Sequence, residues 1–320
     1  MKKSLPRVLL VSDVRGWAFD QNLKDMAEYL KDDFDFSFFY IEDFLKNHRL
    51  PDLDSFDTIF TPYHKWDQLN DYLPWHKNNI LGSLRASMMF PELGTSLPGP
   101  REASVVARYK AFHVVNQRNF EDYSALCNNV VLLTNPVNTR RFPSTTKPRK
   151  KPVFCWNGNP NHRMKRHDIK GFYSIIQKYF HANKSKKIHV ASYANETRQR
   201  PSAMPAFYQK ATISVCASKY EGASNSTMEA MAAGLMLITT NCGNHADIAL
   251  QQLTEGSESG ILFFDGTLAG FEDAMSYVGK LDGLEIARLG LMNRQHMNEH
   301  WSWHAWADRY KKFLMKGVEA

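Results

Sequence analysis

The chain has 320 residues, a length that points to two domains of ordinary size. Its 43% hydrophobic and 23% charged residues are a globular composition, which excludes a disordered or fibrous chain. The net charge of +7 is concentrated: between Arg140 and Lys170 ten Lys or Arg stand against a single acid, Asp168. The longest apolar runs, such as Leu235–Ile238 and Ile261–Phe264, are far short of the roughly 20 residues needed to span a bilayer. Met1–Pro6 carries charge but no apolar h-region, so no signal peptide is expected. The four cysteines, Cys127, Cys155, Cys216 and Cys242, form no CxxC pair. Neither a zinc site nor a disulfide framework is expected from them, and the plain expectation is reduced, buried thiols in a cytoplasmic protein.

In chain order, Arg7–Ser12 reads as a first strand, followed by a helical pattern over Asp20–Leu30 with Leu23, Met26, Ala27 and Leu30 on one face. Phe36–Ile41, Thr58–Thr61, Asn79–Leu84 and Val130–Thr134 read as further strands, with helices over Ser104–His113 and Arg118–Leu126. The second half repeats the theme. Pro152–Trp156, Lys187–Ala191, Thr212–Ala217, Leu235–Thr240 and Gly260–Phe264 are strand-like, and Phe172–His181, Pro205–Lys210, Ser226–Ala233 and Phe271–Gly279 helix-like. Alternating strands and helices predict an α/β protein whose parallel sheets are covered on both faces. The expected architecture is two Rossmann-like domains, 1–147 and 148–300, with their sheets facing across a cleft. A final helix over 301–320, carrying Trp301, Trp303, Trp306, Tyr310 and Phe313, completes it. Ligands of such sheets bind beyond the carboxyl ends of the strands.

The basic segment 140–170 suits a phosphate-bearing ligand, an anionic membrane surface or a nucleic acid. Its stretch Lys147–Pro152 has two prolines among four charges, which equally fits a solvated linker between domains.

The densest signal runs from Ala217 to Gly234. A strand ends near Ala217, a loop of small and polar residues follows, and a helix begins near Ser226. Backbone N–H groups at such a helix start favour a phosphate. Glu221 on the loop and Glu229 in the first helical turn can face one pocket and accept hydrogen bonds from sugar or ribose hydroxyls. Ser226-x-x-Glu229 also fits a capping box, in which Glu229 would only satisfy a backbone donor.

Glu221-x7-Glu229, then Ala-Met-Ala-Ala-Gly234, the strand Leu235–Thr240 and Gly243, resembles the retaining GT-B glycosyltransferases of the group 1 family, family 4. Asn135-Pro-Val-Asn138 with Phe142, Phe154–Gly158, Ile169-Lys170-Gly171, Met204–Tyr208 and Gly260–Phe263 resemble further segments of that family, in order. The resemblance covers about residues 130–265, and the first 130 residues match only in pattern.

The resemblance implies a retaining, metal-independent transfer of a sugar from a nucleoside-diphosphate sugar, a UDP-sugar first among them, to an acceptor hydroxyl. No separate cofactor is implied, because the donor is a substrate. Glu229 would bind the ribose, Glu221 the donor sugar, and Ser224, Asn225, Ser226 and Thr227 the sugar and diphosphate, beside Gly158 and Asn159. Lys170 would neutralise the leaving diphosphate. The family's usual Arg after the strand glycine is replaced by Asn159, so Arg163 or Lys165 would substitute unless that loop is merely solvated. In the first domain Gly16 offers close backbone approach to the donor, and Trp17, Arg85 and His64 are acceptor-side candidates, with His113 a second candidate histidine. Trp17 and both histidines fit a structural place as well.

The expected acceptor is a surface saccharide or glycolipid, with the protein cytoplasmic or peripheral at the inner membrane face. The same chemistry on a modified DNA base, or a GT-B nucleotide-sugar epimerase, stands as the alternative.

Overall fold

The computed structural model describes residues 4–62, 69–84, 99–144, 148–160, 168–192, 199–256 and 258–319. The chain forms two compact units, one made of Met1–Pro136 with Trp303–Ala320 and the other of Val137–Ser302.

The first unit holds six parallel strands: β1 (Arg7–Ser12), β2 (Asp35–Tyr40), β3 (Thr58–Pro62), β4 (Ile80–Leu84), β5 (Ala111–Val114) and β6 (Val130–Leu132). Their order is β2-β1-β3-β4-β5-β6. Side chains alternate across a strand, so β1 sends Val8 and Leu10 to one face and Leu9 and Val11 to the other, and both faces are buried. Helix α1 (Ala18–Tyr29) covers the Val8 face with Phe19, Leu23 and Met26. On the second face lie α2 (Ile41–Asn47), which contributes Ile41 and Phe44, and α3 (Pro100–Val106) with Val106. Helix α4 (Gln117–Ser124) adds Tyr123 to that face.

The expected helix over Ser104–His113 is corrected here. It ends at Val106, and Ala111–Val114 is strand β5, held between β4 and β6 in the register Leu81↔Ala111 and Phe112↔Val130. A four-residue apolar run has no periodicity of its own, and only its two neighbouring strands decide its state.

The second unit holds five parallel strands: β7 (Val153–Gly158), β8 (Lys187–Ser192), β9 (Ile213–Cys216), β10 (Met236–Thr240) and β11 (Ile261–Phe264). Their order is β11-β10-β9-β7-β8. A π-helical turn over Phe172–Gln177 runs into α5 (Lys178–Ala182). Next come α6 (Met204–Tyr208), α7 (Asn225–Ala232) and α8 (His245–Thr254). Helices α9 (Leu268–Val278) and α10 (Gly283–His300) complete the unit. Its core packs Phe154, Ile213, Met236 and Ile238 of the sheet against Phe172, Ile176, Phe271, Met275 and Leu289 of the helices. The last helix, α11 (Trp303–Val318), belongs to the first unit, where Trp303, Tyr310, Phe313 and Leu314 join the Val8 face.

The boundary at Pro136/Val137 lies ahead of the Pro- and Lys-rich stretch expected to link the domains. Arg149 is seated inside the second unit. Its guanidinium donates to the Gln209 carbonyl at 3.0 Å, and its own carbonyl lies so close to Gly283 that a Cβ there would stand 2.1 Å from it. Phe142, also ahead of that stretch, packs edge-on against Tyr208 of the same unit.

Candidate active site

In the second unit the carboxyl ends of β7, β9 and β10 run into the segments singled out in the sequence. Strand β9 ends at Cys216 and gives way to the polar loop 217–224, and α7 begins at Asn225 with Ser224 as its cap residue. The cap position corrects the expectation for Glu229. Three residues after Ser224 stands Thr227, whose hydroxyl donates to the Ser224 carbonyl at 3.0 Å. Glu229 lies in the second helical turn, outside the reach of a capping box. Its carboxylate accepts instead from the Tyr208 hydroxyl at 3.1 Å. That hydroxyl also lies 3.0 Å from the Ser226 carbonyl and accepts from Asn157 Nδ2 at 3.2 Å. Burial and the neighbouring carboxylate hold the Tyr208 phenol well above its usual range, so it remains a donor to Glu229.

Lys170 and Glu221, 51 positions apart, meet at 2.5 Å. Glu221 also accepts from the Ser218 hydroxyl at 2.7 Å. Burial by itself would push the Glu221 carboxyl up, but the Lys170 ammonium and the Ser218 hydroxyl outweigh it and hold the group below the usual carboxylate range. For Lys170 burial favours the neutral amine, and Glu221 reverses that, so the ammonium is held above its usual range.

The pair is held by backbone packing. Asp168 accepts from the Phe172 and Ser174 N–H groups at 2.9 and 2.7 Å, and so shapes the turn that carries Lys170. Gly171 has φ +60°, and a Cβ there would stand 2.3 Å from the Ala217 carbonyl oxygen. Gly243 has φ +61°, and a Cβ there would stand 2.5 Å from the Gly222 carbonyl oxygen. Both positions need a left-handed backbone and a close approach, which only glycine combines without strain.

Several supporting residues escaped the sequence reading. Asn244, fully buried, accepts from the Ser224 N–H at 3.3 Å. His245, also fully buried, lies 2.9 Å from the Thr227 hydroxyl through Nε2 and 3.0 Å from the Thr239 hydroxyl through Nδ1. The Thr240 hydroxyl donates to the Ser218 carbonyl at 2.5 Å. The available signal was positional: Thr240 through His245 begin at the carboxyl end of a strand, where α/β sheets place their ligands.

The structure pairs Lys170 with Glu221, three positions ahead of the cap residue Ser224; Asn225, Ser226 and Thr227 open α7, and Tyr208 bonds both Ser226 and Glu229. The half-buried Gly158 and Asn159 close β7 beside Asn157, the residue that donates to Tyr208. Arg163 and Lys165 lie outside the described residues.

The first-unit candidates stand by themselves. The Gly16 N–H is already engaged by Asp20 Oδ2 at 2.7 Å, and the space in front of Gly16 is open. Trp17 is 45% exposed and so is no core tryptophan. His113 is fully buried, with Nδ1 3.2 Å from the Leu133 carbonyl and its ring stacked on Phe60, which is a structural place. His64 and Arg85 lie outside the described residues. Two Asp-x-Asp pairs occur in this unit, and three of their four acids have structural partners. Asp33 pairs with Lys311 at 2.5 Å, Asp52 caps the turn that follows it, and Asp54 pairs with Lys77 at 2.8 Å. Among the described residues no helix is long and apolar enough to cross a membrane.

Compared with known proteins, the chain matches no curated sequence. Among solved structures it is similar to a sucrose-phosphate synthase from Thermosynechococcus elongatus, at 12% identity and a TM-score of 0.68, over 97% of this chain and 98% of that one. It is similar also to a glycosyltransferase from Rickettsia africae, at 12% identity and 0.70, over 99% and 100%. A third is Anabaena HepE solved with UDP and glucose, at 9% identity and 0.68, over 96% and 99%. These likenesses establish the fold: an α/β protein of GT-B type, built of two Rossmann-like units with parallel sheets. Residues 174–279, which include Glu221, Glu229 and their supporting loop, match the family described as glycosyl transferases group 1.

Proposed function

We propose that this protein is a retaining glycosyltransferase. It moves a sugar from a UDP-sugar to a hydroxyl of a saccharide or glycolipid, without a divalent metal. The observation that carries the reading is the Lys170–Glu221 pair beside the start of α7, within or next to the stretch that matches the group 1 family. The UDP bound in the HepE structure, which this chain resembles in fold, supports the donor class.

The chemistry follows from what those groups can bind. Without ligand, Lys170 and Glu221 neutralise each other. A donor divides the pair: the diphosphate takes the ammonium, and hydroxyls of the sugar donate to the Glu221 carboxylate. Glu229, steadied by Tyr208, accepts from the ribose hydroxyls. The α7 N-terminus adds partial positive charge toward the diphosphate. In the transfer the bond from the anomeric carbon to the phosphate oxygen breaks, and both electrons leave with the diphosphate. The acceptor oxygen bonds to that carbon on the same face, and its proton passes to a departing phosphate oxygen. Lys170 stabilises the charge that develops there.

The test is incubation with UDP-sugars and saccharide acceptors, with the product anomer read by NMR. Retention of the donor's configuration is expected, and an inverted product refutes the mechanism. Calorimetry with UDP in EDTA should give the same affinity as without chelator, and loss of binding refutes the metal-independent reading.

A further inference from the structure

We propose that Glu255, His296 and His300 form a binding site for a divalent cation of the zinc type, remote from the pair Glu221 and Glu229. The position follows from the helices that carry them. Helix α8 leaves the site end of the sheet at His245 and runs ten residues to Thr254, about 15 Å, so Glu255 stands at its far end. In α10, Asn293 Nδ2 donates to the Leu235 and Gly260 carbonyls at 3.0 and 2.9 Å, which places this part of the helix at the amino ends of β10 and β11. His296 and His300 follow on the same helix, and their i, i+4 spacing puts both rings on one face, 4.8 Å apart between centroids.

The three side chains already have much of a coordination geometry. Glu255 Oε2 lies 3.2 Å from His300 Nε2 and 3.6 Å from His296 Nδ1. One ligand atom from each residue fits within 4.8 Å of the others. A tetrahedral zinc ion with bonds of about 2.0–2.2 Å has ligand–ligand edges of about 3.3–3.5 Å. Two of the three edges are therefore close to the required length, and a small closure of the His pair completes the third.

A second observation comes from His296 itself. It is 6% exposed, its Nε2 is buried without a hydrogen-bond partner, and its Nδ1 lies beyond hydrogen-bonding distance of Glu255. With the ring proton on Nε2, the Nδ1 lone pair that faces Glu255 is the one a cation would take.

Two imidazoles and one carboxylate favour zinc, cobalt or nickel over magnesium or calcium, which prefer all-oxygen shells. Glu299, with Oε2 3.7 Å from His300 Nε2, adds a second negative charge at the rim. A bound ion would tie the end of α8 to the end of α10, next to Trp301, whose carbonyl accepts from the Val137 N–H at 2.9 Å.

The experiment uses the full-length chain without a polyhistidine tag, stripped of metal by chelation and dialysis. Cobalt(II) is titrated and its visible d–d absorption followed, then zinc is added in competition. One equivalent of cobalt should develop a saturable tetrahedral band, zinc should abolish it, and zinc alone should raise Tm. Glu255→Gln and His300→Gln should each weaken binding roughly 100-fold, while His304→Gln, an exposed histidine on the next helix, should not. Absence of saturable binding below millimolar metal overturns the proposal. So does equal binding by the wild type and both ligand variants, which would leave Glu255 and His300 as an ion pair only.

Discussion

Replacing Lys170 by Ala removes the ammonium from Glu221, whose side chain is only 14% exposed and keeps the Ser218 hydroxyl as a donor. Removing one partner of a buried ion pair costs about 3–5 kcal/mol. The residual exposure and the Ser218 bond bring the expected loss to about 2–3 kcal/mol at pH 7. For a domain of this size each kcal/mol moves Tm by about 2–4 °C, so a fall of about 4–12 °C is expected.

The pH dependence has a definite sign. In the wild type Glu221 is held below its ordinary range. Its contribution is therefore present above the unfolded carboxylate's pKa and is lost as pH falls through the folded one. In Lys170→Ala burial loses its largest offset and only weaker ones such as the Ser218 hydroxyl remain, so the folded carboxyl is expected to titrate higher than in the wild type, and stability is lost as pH rises through it. The gap in Tm between wild type and variant must widen from about pH 4 to pH 7. The double variant Lys170→Ala/Glu221→Gln should regain a large part of the loss at pH 7, because no charge remains to be desolvated. Thermal unfolding followed by circular dichroism across that pH range is the assay. A variant as stable as the wild type at pH 7, or a gap that narrows with rising pH, refutes the account of this pair.

Glu229→Ala should lower UDP affinity by at least tenfold while moving Tm little, because Glu229 caps no helix; calorimetry and melting together decide it. Gly171→Ala must place a methyl 2.3 Å from the Ala217 carbonyl oxygen at φ +60°, so sugar transfer should fall at least tenfold and stability by about 1–3 kcal/mol, read by turnover and chemical denaturation. Asn293→Leu removes the donor to the Leu235 and Gly260 carbonyls and the acceptor for Gln252 Nε2, and should cost about 2–4 kcal/mol in denaturant unfolding with UDP affinity unchanged.

Much of the second unit was legible because its signals are local. An apolar run, a loop of small polar residues and an Ala- and Met-rich helix follow one another from Ile213 to Ala232, and the structure places strand, loop and helix there in that order. What was not legible depended on partners distant in sequence. Strand β5 owes its state to β4 and β6, and the Ala111–Val114 run is too short to declare it. Lys147–Pro152 has linker composition, but Gly283 draws Arg149 into the second unit. Glu229 kept a capping alternative until the helix start moved to Asn225, which put Thr227 in the third helical position. The meeting of Lys170 with Glu221, and the fully buried His245 between two threonine hydroxyls, needed three dimensions to be seen.

The first unit is interrupted: Val137–Ser302 is contiguous, but the sheet that begins at Arg7 is closed by a helix made of the last residues of the chain. A polypeptide synthesised from its amino end therefore makes β1 to β6 long before Trp303, Tyr310 and Phe313 exist to cover their face. The second unit can close as soon as Ser302 has left the ribosome, while the first waits, with Phe60 and Leu81 open on that face until the final helix arrives. The order of completion is the reverse of the order of synthesis. A premature stop between Ser302 and Tyr310 would release a chain with one finished unit and one open sheet, a substrate for chaperones and proteases rather than a shortened but folded protein.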